Sequence, residues 1–165
     1  SAQTTDKKVN EVTPALFKVA NTPEKMAALE VSEIKELIKE IGLSNTKAKN
    51  LKLMAQQLVE RHQSEIPNNY NDLENLSGVG HKTASVVMSQ AFGIPAFPVD
   101  THIHRLLTQW KITSGKNVAE TEKDAKKIFP KNKWNKLHIQ IILYARAYSP
   151  ARGKGKDYLT PLLFG

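Results

Sequence analysis

The chain of 165 residues contains no cysteine. That one absence excludes disulfides, thiolate metal sites and cysteine nucleophiles. No apolar run approaches the ~18 residues that a membrane-spanning helix needs. The opening, SAQTTDKKVN, is polar and unlike a signal peptide. The cytoplasm is therefore the expected compartment, with no membrane association. Acidic residues are scarce: 16 Asp plus Glu stand against 24 Lys plus Arg, a formal net charge of +8. Such an imbalance points to a polyanionic partner, nucleic acid before others, and says nothing about fold. Repeats and low-complexity tracts are missing, and no alternating apolar–polar segment is long enough for a strand.

What is present is helical periodicity. Val9, Val12, Leu16 and Val19 recur at spacings of three or four. Thr22-Pro23-Glu24 reads as a cap, a first-turn proline and an early acid. Ser32 is expected to cap EIKELIKEI, which should stop at Gly42. Leu51, Met54, Ala55, Leu58 and Val59 mark one face of a longer helix that ends near His62. After a break at Pro67-Asn68-Asn69, Asn71 or Asp72 should start a brief helix through Leu76. A further helix is expected from Gly80 to Phe92, with Ala84, Val87, Met88 and Ala91 on one face. Gly93 ends it, and IPAFP should be extended. Helices from Asp100 to Trp110, Val118 to Phe129 and Trp134 to Tyr148 complete the pattern. Trp110 and Trp134 are expected in the core. The class is all-α, built from many short helices, and the basic tail ARGKGKDY reads as irregular.

One stretch carries chemistry: LSGVGHKTASVV, residues 76–87. A nucleotide P-loop would need glycines where Leu76 and His81 stand, so that reading fails. A helix-hairpin-helix fits better. DLENL meets KTASVVMSQAF through the turn Ser77-Gly78-Val79-Gly80, in a unit spanning about residues 70–89. Gly78 and Gly80 can both take positive φ and admit a phosphate closely. Backbone N–H groups of the turn and the N-terminus of the second helix can then hold it. Val79 should pack inward. Such a hairpin grips the DNA backbone without reading sequence.

Lys82 opens the second helix of that hairpin. It is either a phosphate-contacting cation or a nucleophile, and the second role requires a neutral amine. A free lysine, with a pKa of ~10.4, is almost wholly protonated near pH 7. The positive end of a helix disfavours the ammonium, and burial would act the same way. Asp100 is the available partner, an N-cap carboxylate one helix and one short loop later. His102 and His104 sit at i and i+2, about 200° apart on a helix, so they do not easily share a metal.

Together, LSGVGHKTASVVMSQAFGIPAFPVDTHIHR resembles the helix-hairpin-helix and Gly-Pro-Asp segment of the endonuclease III group of DNA glycosylases. VANTPEKMAAL, IKEIGLSNTKAKNL and HIQIILYARAYSPAR extend the likeness over nearly the whole chain. It implies a two-lobed fold: a helical barrel domain at 1–94 with the hairpin, and a second lobe at 95–165. Lys82 and Asp100, its catalytic residues, would face each other across the cleft. The implied activity is that of a bifunctional glycosylase and abasic-site lyase. It removes oxidised pyrimidines from duplex DNA through a lysine Schiff base and β-elimination. DNA contacts are implied for Gln3 and Leu43, which would fill and wedge the gap left by a flipped base. Others are implied for Gly78, Val79, Gly80, His81 and Thr83 of the hairpin, and for His102 and Arg105. Arg105 is expected to meet a phosphate or a carboxylate, and His102 to position Asp100 or DNA.

The chain departs from the family pattern at both ends. Aligned on YARAYSPAR, the four cysteines that hold a [4Fe-4S] cluster in many members fall on Ser149, Lys156, Leu159 and Gly165. No cluster, metal or other cofactor is expected. The segment Arg152 to Lys156 would be left to touch DNA, and Leu159, Leu162, Leu163 and Phe164 to fill the vacated space. Other members carry a helix and a half before SAQ, so this chain is expected to lack one wall of its main core. A monomer acting on damaged double-stranded DNA is the expected state. Two rivals stand beside this reading: a non-catalytic DNA-binding module, and a glycosylase of other base preference on the same fold.

Overall fold

The structure, a computed structural model, describes residues 4–150 and Leu159. Every regular element among those residues is helical. The chain divides into two compact units, Ser1–Gly80 and His81–Gly165. The expected boundary was 94/95.

The first unit holds α1 (Asp6–Val19), α2 (Pro23–Ala28), α3 (Val31–Leu37), α4 (Ser44–His62) and α5 (Tyr70–Glu74). Side-chain caps set several of the starts by satisfying orphan N–H groups. Thr5 accepts from Lys8 N–H and Thr22 from Lys25 N–H, each at 3.3 Å, and Asn69 accepts from Asp72 N–H at 2.9 Å. The brief helix α5 therefore begins at Tyr70, just ahead of the expected Asn71 or Asp72. α3 corrects two expectations. Its cap is Glu30 and not Ser32, because Glu30 N–H finds the Glu33 carboxylate at 2.6 Å in a capping box. It also ends at Leu37 rather than at Gly42. A tight turn, Ile41 N–H to Ile38 O at 2.9 Å, then folds Ile38 and Ile41 into the core. α2 and α3 pack on α4 around Leu16, Met26, Ile34, Ile38 and Ala48.

The second unit holds α6 (His81–Gln90), α7 (Thr101–Gln109), α8 (Val118–Ile128), a 3-10 turn (Lys131–Lys133) and α9 (Trp134–Tyr148). α7 packs against α8 and α9. The α6 helix stops at Gln90, which leaves Ala91 exposed. Its buried face is Ala84, Ser85, Met88 and Ser89, rotated from the expected one. Serine is tolerated there because Ser89 Oγ donates back to Val86 O at 3.2 Å. The link from α6 to α7 is extended, and Ala96, Phe97, Pro98 and Val99 are buried. Phe97 is fully buried and stacks on Phe129 at 5.7 Å between ring centres. Burying a side chain of that size contributes about 2–3 kcal/mol, enough to fix the course of the link. Trp110 is buried, as expected; Trp134 is half-buried, its Nε1 donating to Phe129 O at 2.8 Å. Among the described residues, no helix is long and apolar enough to cross a membrane.

Candidate active site

The hairpin turn joins α5 to α6, and α4 braces it. Gln57 Oε1 accepts from Ser77 N–H at 2.7 Å, and Gln57 Nε2 donates to Asn75 O at 3.2 Å. One α4 turn pair earlier, Asn50 Oδ1 accepts from Ser77 Oγ at 3.3 Å. Gly78 has φ +79, and a Cβ there would lie 2.9 Å from Asn50 Nδ2 and 3.0 Å from Asn50 Cβ. Only glycine satisfies both the dihedral and the approach. Gly80 differs from expectation: its φ is not positive, and a Cβ there would meet nothing within 4 Å. Its small size leaves open space beside the turn instead of relieving strain. Val79 is half-buried, and Val79 N–H donates to Leu76 O at 3.1 Å, closing the turn. Nothing in the sequence pattern announced Asn50 and Gln57, because their partners, the Ser77 hydroxyl and the backbone at Asn75 and Ser77, lie 18 to 27 residues away.

Beyond the turn, His81, Lys82 and Thr83 stand exposed on the first turn of α6. Lys82 is therefore not buried. Its amine has no hydrogen-bond or ion-pair partner among the described residues. Asp100 caps α7 as expected, accepting Ile103 N–H on Oδ1 at 2.9 Å. Its Oδ2 makes no hydrogen bond among the described residues. Both residues belong to the second unit, and no direct bond joins them. The arrangement offers an unpaired amine at a positive helix end, and a half-engaged carboxylate whose geometry a cap fixes.

A charged group accompanies Lys82. His81 Nε2 donates to Glu122 Oε2 at 3.1 Å, and Lys126 Nζ donates to Glu122 Oε1. The Glu122 side chain is only 9% exposed, so α8 presents a buried carboxylate that the His81 imidazole and the Lys126 ammonium both engage. Lys126 also lies over the Trp134 ring, 5.5 Å from its centre. On α7, His104 Nδ1 meets Thr121 Oγ1 at 2.8 Å, and His102 is half-buried with an Nδ1 that lacks a partner among the described residues. Among those residues, no cluster of His, Asp and Glu could hold a metal.

Within the chain, Arg105 meets a helix end: Nη1 donates to Ser149 Oγ at 2.8 Å, and Nη2 donates to Ser149 O. Ser149 is the C-cap of α9, where carbonyl groups have no partner within the helix, and a guanidinium fork satisfies two acceptors at once. Ser149 also stands at the first of the four aligned cluster positions. Leu159, the third, packs on the second core, and its N–H donates to the Tyr144 hydroxyl at 2.9 Å. Lys156 and Gly165 lie outside the described residues, as do Leu162, Leu163, Phe164 and the basic stretch from Arg152. Serine and leucine, each already engaged, do not fit a cluster that thiolates hold.

In the first unit, Leu43 lies at the N-cap of α4 with φ 60 and ψ 30, and it is 52% exposed. A left-handed conformation costs a leucine roughly 1–2 kcal/mol. An apolar side chain is thus held outward at a strained corner. Gln3 lies outside the described residues. Its neighbour Thr4 accepts from Gly42 N–H and from Lys47 Nζ, both at 3.1 Å, which ties the start of the chain to the Leu43 corner. Burial holds the Lys47 amine below the usual lysine range.

Comparison with known proteins agrees with this geometry. Residues 1–131 match the family described as HhH-GPD superfamily base excision DNA repair protein. Endonuclease III of Haemophilus influenzae is 43% identical over 152 residues, covering 92% of this chain and 72% of that protein. A solved structure of a non-covalent endonuclease III–DNA complex superposes with a TM-score of 0.94 at 36% identity, covering 99% of this chain and 77% of the other. A trapped endonuclease III–DNA covalent intermediate does so at 0.88 and 38%, covering 92% and 71%. With residues 1–131 matched by the family and 92% of the chain matched to an endonuclease III that is itself covered to 72%, this chain belongs to the HhH-GPD superfamily of base excision DNA repair proteins, in its endonuclease III group.

Proposed function

We propose that this chain is a base-excision DNA glycosylase and abasic-site lyase on damaged duplex DNA, with Lys82 as nucleophile and Asp100 as its acidic partner. The substrates are oxidised pyrimidines and abasic sites. The Gly78–Gly80 turn and the N-terminus of α6, with His81 and Thr83, hold the backbone phosphates. Gln3 and Leu43 occupy the gap left by the flipped nucleotide, which must leave the stack before C1′ can be reached. The neutral Lys82 amine attacks C1′ as the bond to the base breaks, and the base leaves with that electron pair. Asp100 stabilises the positive charge that develops on the sugar. The amino-sugar adduct then gives up a nitrogen proton and opens its C1′–O4′ bond, O4′ taking a proton, to form a protonated imine; the imine acidifies the C2′ proton, whose loss expels the 3′ phosphate by β-elimination. His102 serves beside Asp100, and Arg105 acts through the end of α9. The protein works as a monomer in the bacterial cytoplasm, at the nucleoid.

The observation that carries this reading is the Lys82 amine, without a partner among the described residues and two residues past Gly80, in one unit with a carboxylate whose Oδ2 makes no hydrogen bond among those residues. A module that only bound DNA would need neither as a pair. Borohydride trapping on duplexes carrying an abasic site or an oxidised pyrimidine tests it. Wild-type protein should give a covalent adduct that Lys82→Ala abolishes. An adduct that survives in Lys82→Ala refutes the assignment, and binding without any wild-type adduct leaves a DNA-gripping module.

A further inference from the structure

The Lys82 and Asp100 reading requires two backbone segments to hold a fixed relation: α6, which carries the lysine, and the link that delivers the aspartate. One side chain outside both of them bonds to each. Asn135, on the first turn of α9, accepts Ala96 N–H on Oδ1 at 2.9 Å. Its Nδ2 donates to Ser89 O in the last turn of α6 and to Gly93 O at the turn that follows, each at 3.3 Å. Ser89 lies seven residues along α6 from Lys82, and Ala96 four residues before Asp100.

These three backbone groups have no regular partner. Ser89 O belongs to the last turn of α6, where carbonyls are orphaned, and Gly93 O to the turn beyond that helix. Ala96 is fully buried in an extended link, with no strand among the described residues to pair with it. A carboxamide is the side chain that can accept from an N–H and donate to two carbonyls at once. Asn135 is itself held by its surroundings. Trp134 beside it donates to Phe129 O at 2.8 Å, and His138 one turn later lies against Phe97 with ring centres 6.5 Å apart. The start of α9 therefore grips the link by its backbone at Ala96 and by its side chain at Phe97.

We propose that Asn135 is a positioning residue for the lyase reaction, setting the placement of Lys82 relative to Asp100 by joining the end of α6 to the link. The proposal rests on the Lys82 and Asp100 assignment. Catalysis is steep in this coordinate: a misplacement of about 1 Å can lower a rate by roughly a hundredfold. Binding is not, because the phosphate-holding turn lies at the other end of α6.

The test separates chemistry from binding. Single-turnover borohydride trapping at saturating enzyme reads the chemical step. The Kd for the same duplex with a tetrahydrofuran abasic analogue reads binding. Asn135→Ala should slow trapping at least tenfold and change Kd less than twofold. Asn135→Asp keeps the acceptor for Ala96 N–H but turns a second oxygen on the two carbonyls. It should also slow trapping with Kd unchanged, and a thermal melt confirms that each variant is folded. Wild-type trapping rates in both folded variants overturn the proposal and leave the lysine assignment standing, as do losses of rate and affinity in equal measure. A wild-type protein that forms no adduct overturns both together.

Discussion

Gly78 and Gly80 stand two residues apart in one turn, and the structure gives them opposite sensitivities. Gly78→Ala places a Cβ in the left-handed region at φ +79, which costs roughly 1–2 kcal/mol for an L-residue. The same Cβ would sit 3.0 Å from Asn50 Cβ and 3.2 Å from its Cγ, so Asn50 must move. Its hydrogen bond with the Ser77 hydroxyl is then lost, at about 1 kcal/mol. The stiffer unfolded chain returns about 0.4–1 kcal/mol, leaving a net loss near 2 kcal/mol. Gly80→Ala meets nothing within 4 Å and has no positive φ to strain, so only the unfolded-state effect remains. Its stability should be unchanged or slightly raised. Urea unfolding of the two variants measures the difference directly. Asn50→Ala should cost about 1 kcal/mol in the wild-type chain and little in the Gly78→Ala background, where its bond to the Ser77 hydroxyl is already lost, since the two sites are in contact. Equal stability losses at the two glycines would refute the reasoning. DNA affinity should rank them differently, with Gly80→Ala weakened because its methyl group fills the open space beside the turn.

Two further outcomes follow from groups in the second unit. Burial pushes the His138 imidazole below its usual pKa, against the opposing influence of the Trp134 carbonyl and the Asp100 charge. The unfolded chain therefore binds this proton more readily, and stability present above about pH 6.5 is lost as pH falls below it; the urea midpoint should drop with acidification, and drop less steeply in His138→Gln. Arg105→Ala leaves the end of α9 without its two donors and should cost about 2–3 kcal/mol in thermal or urea unfolding. Arg105→Lys should restore less than half of that, because an ammonium lacks the planar fork.

The elements that the sequence discloses are those set by local chemistry. Thr22-Pro23, Asp100 and the run from Trp134 to Tyr148 each act through neighbours three or four residues away, and all three appear where periodicity and capping put them. α3 escaped because two caps competed within three residues, and a reciprocal Glu30–Glu33 pair outbids a lone serine. The site divides the same way. The turn at Gly78 is visible as a local pattern, as is the lysine that follows it. Asn50, Gln57, Asn135 and Glu122 are not, because each acts on a group 18 to 46 residues distant in sequence. Arg105 was visible as a cation, yet its partner is a helix end that no spacing rule connects to it.

The joint between α7 and α9 is closed by a guanidinium on a serine hydroxyl and a peptide oxygen. None of those groups is oxidised by peroxide, and the chain's sulfur is confined to Met26 and Met88, which are buried, and Met54, which is half-buried. An enzyme proposed to repair oxidative lesions thus fastens its second unit with chemistry inert to the agents that make those lesions. Peroxide challenge should leave its melting temperature where it was.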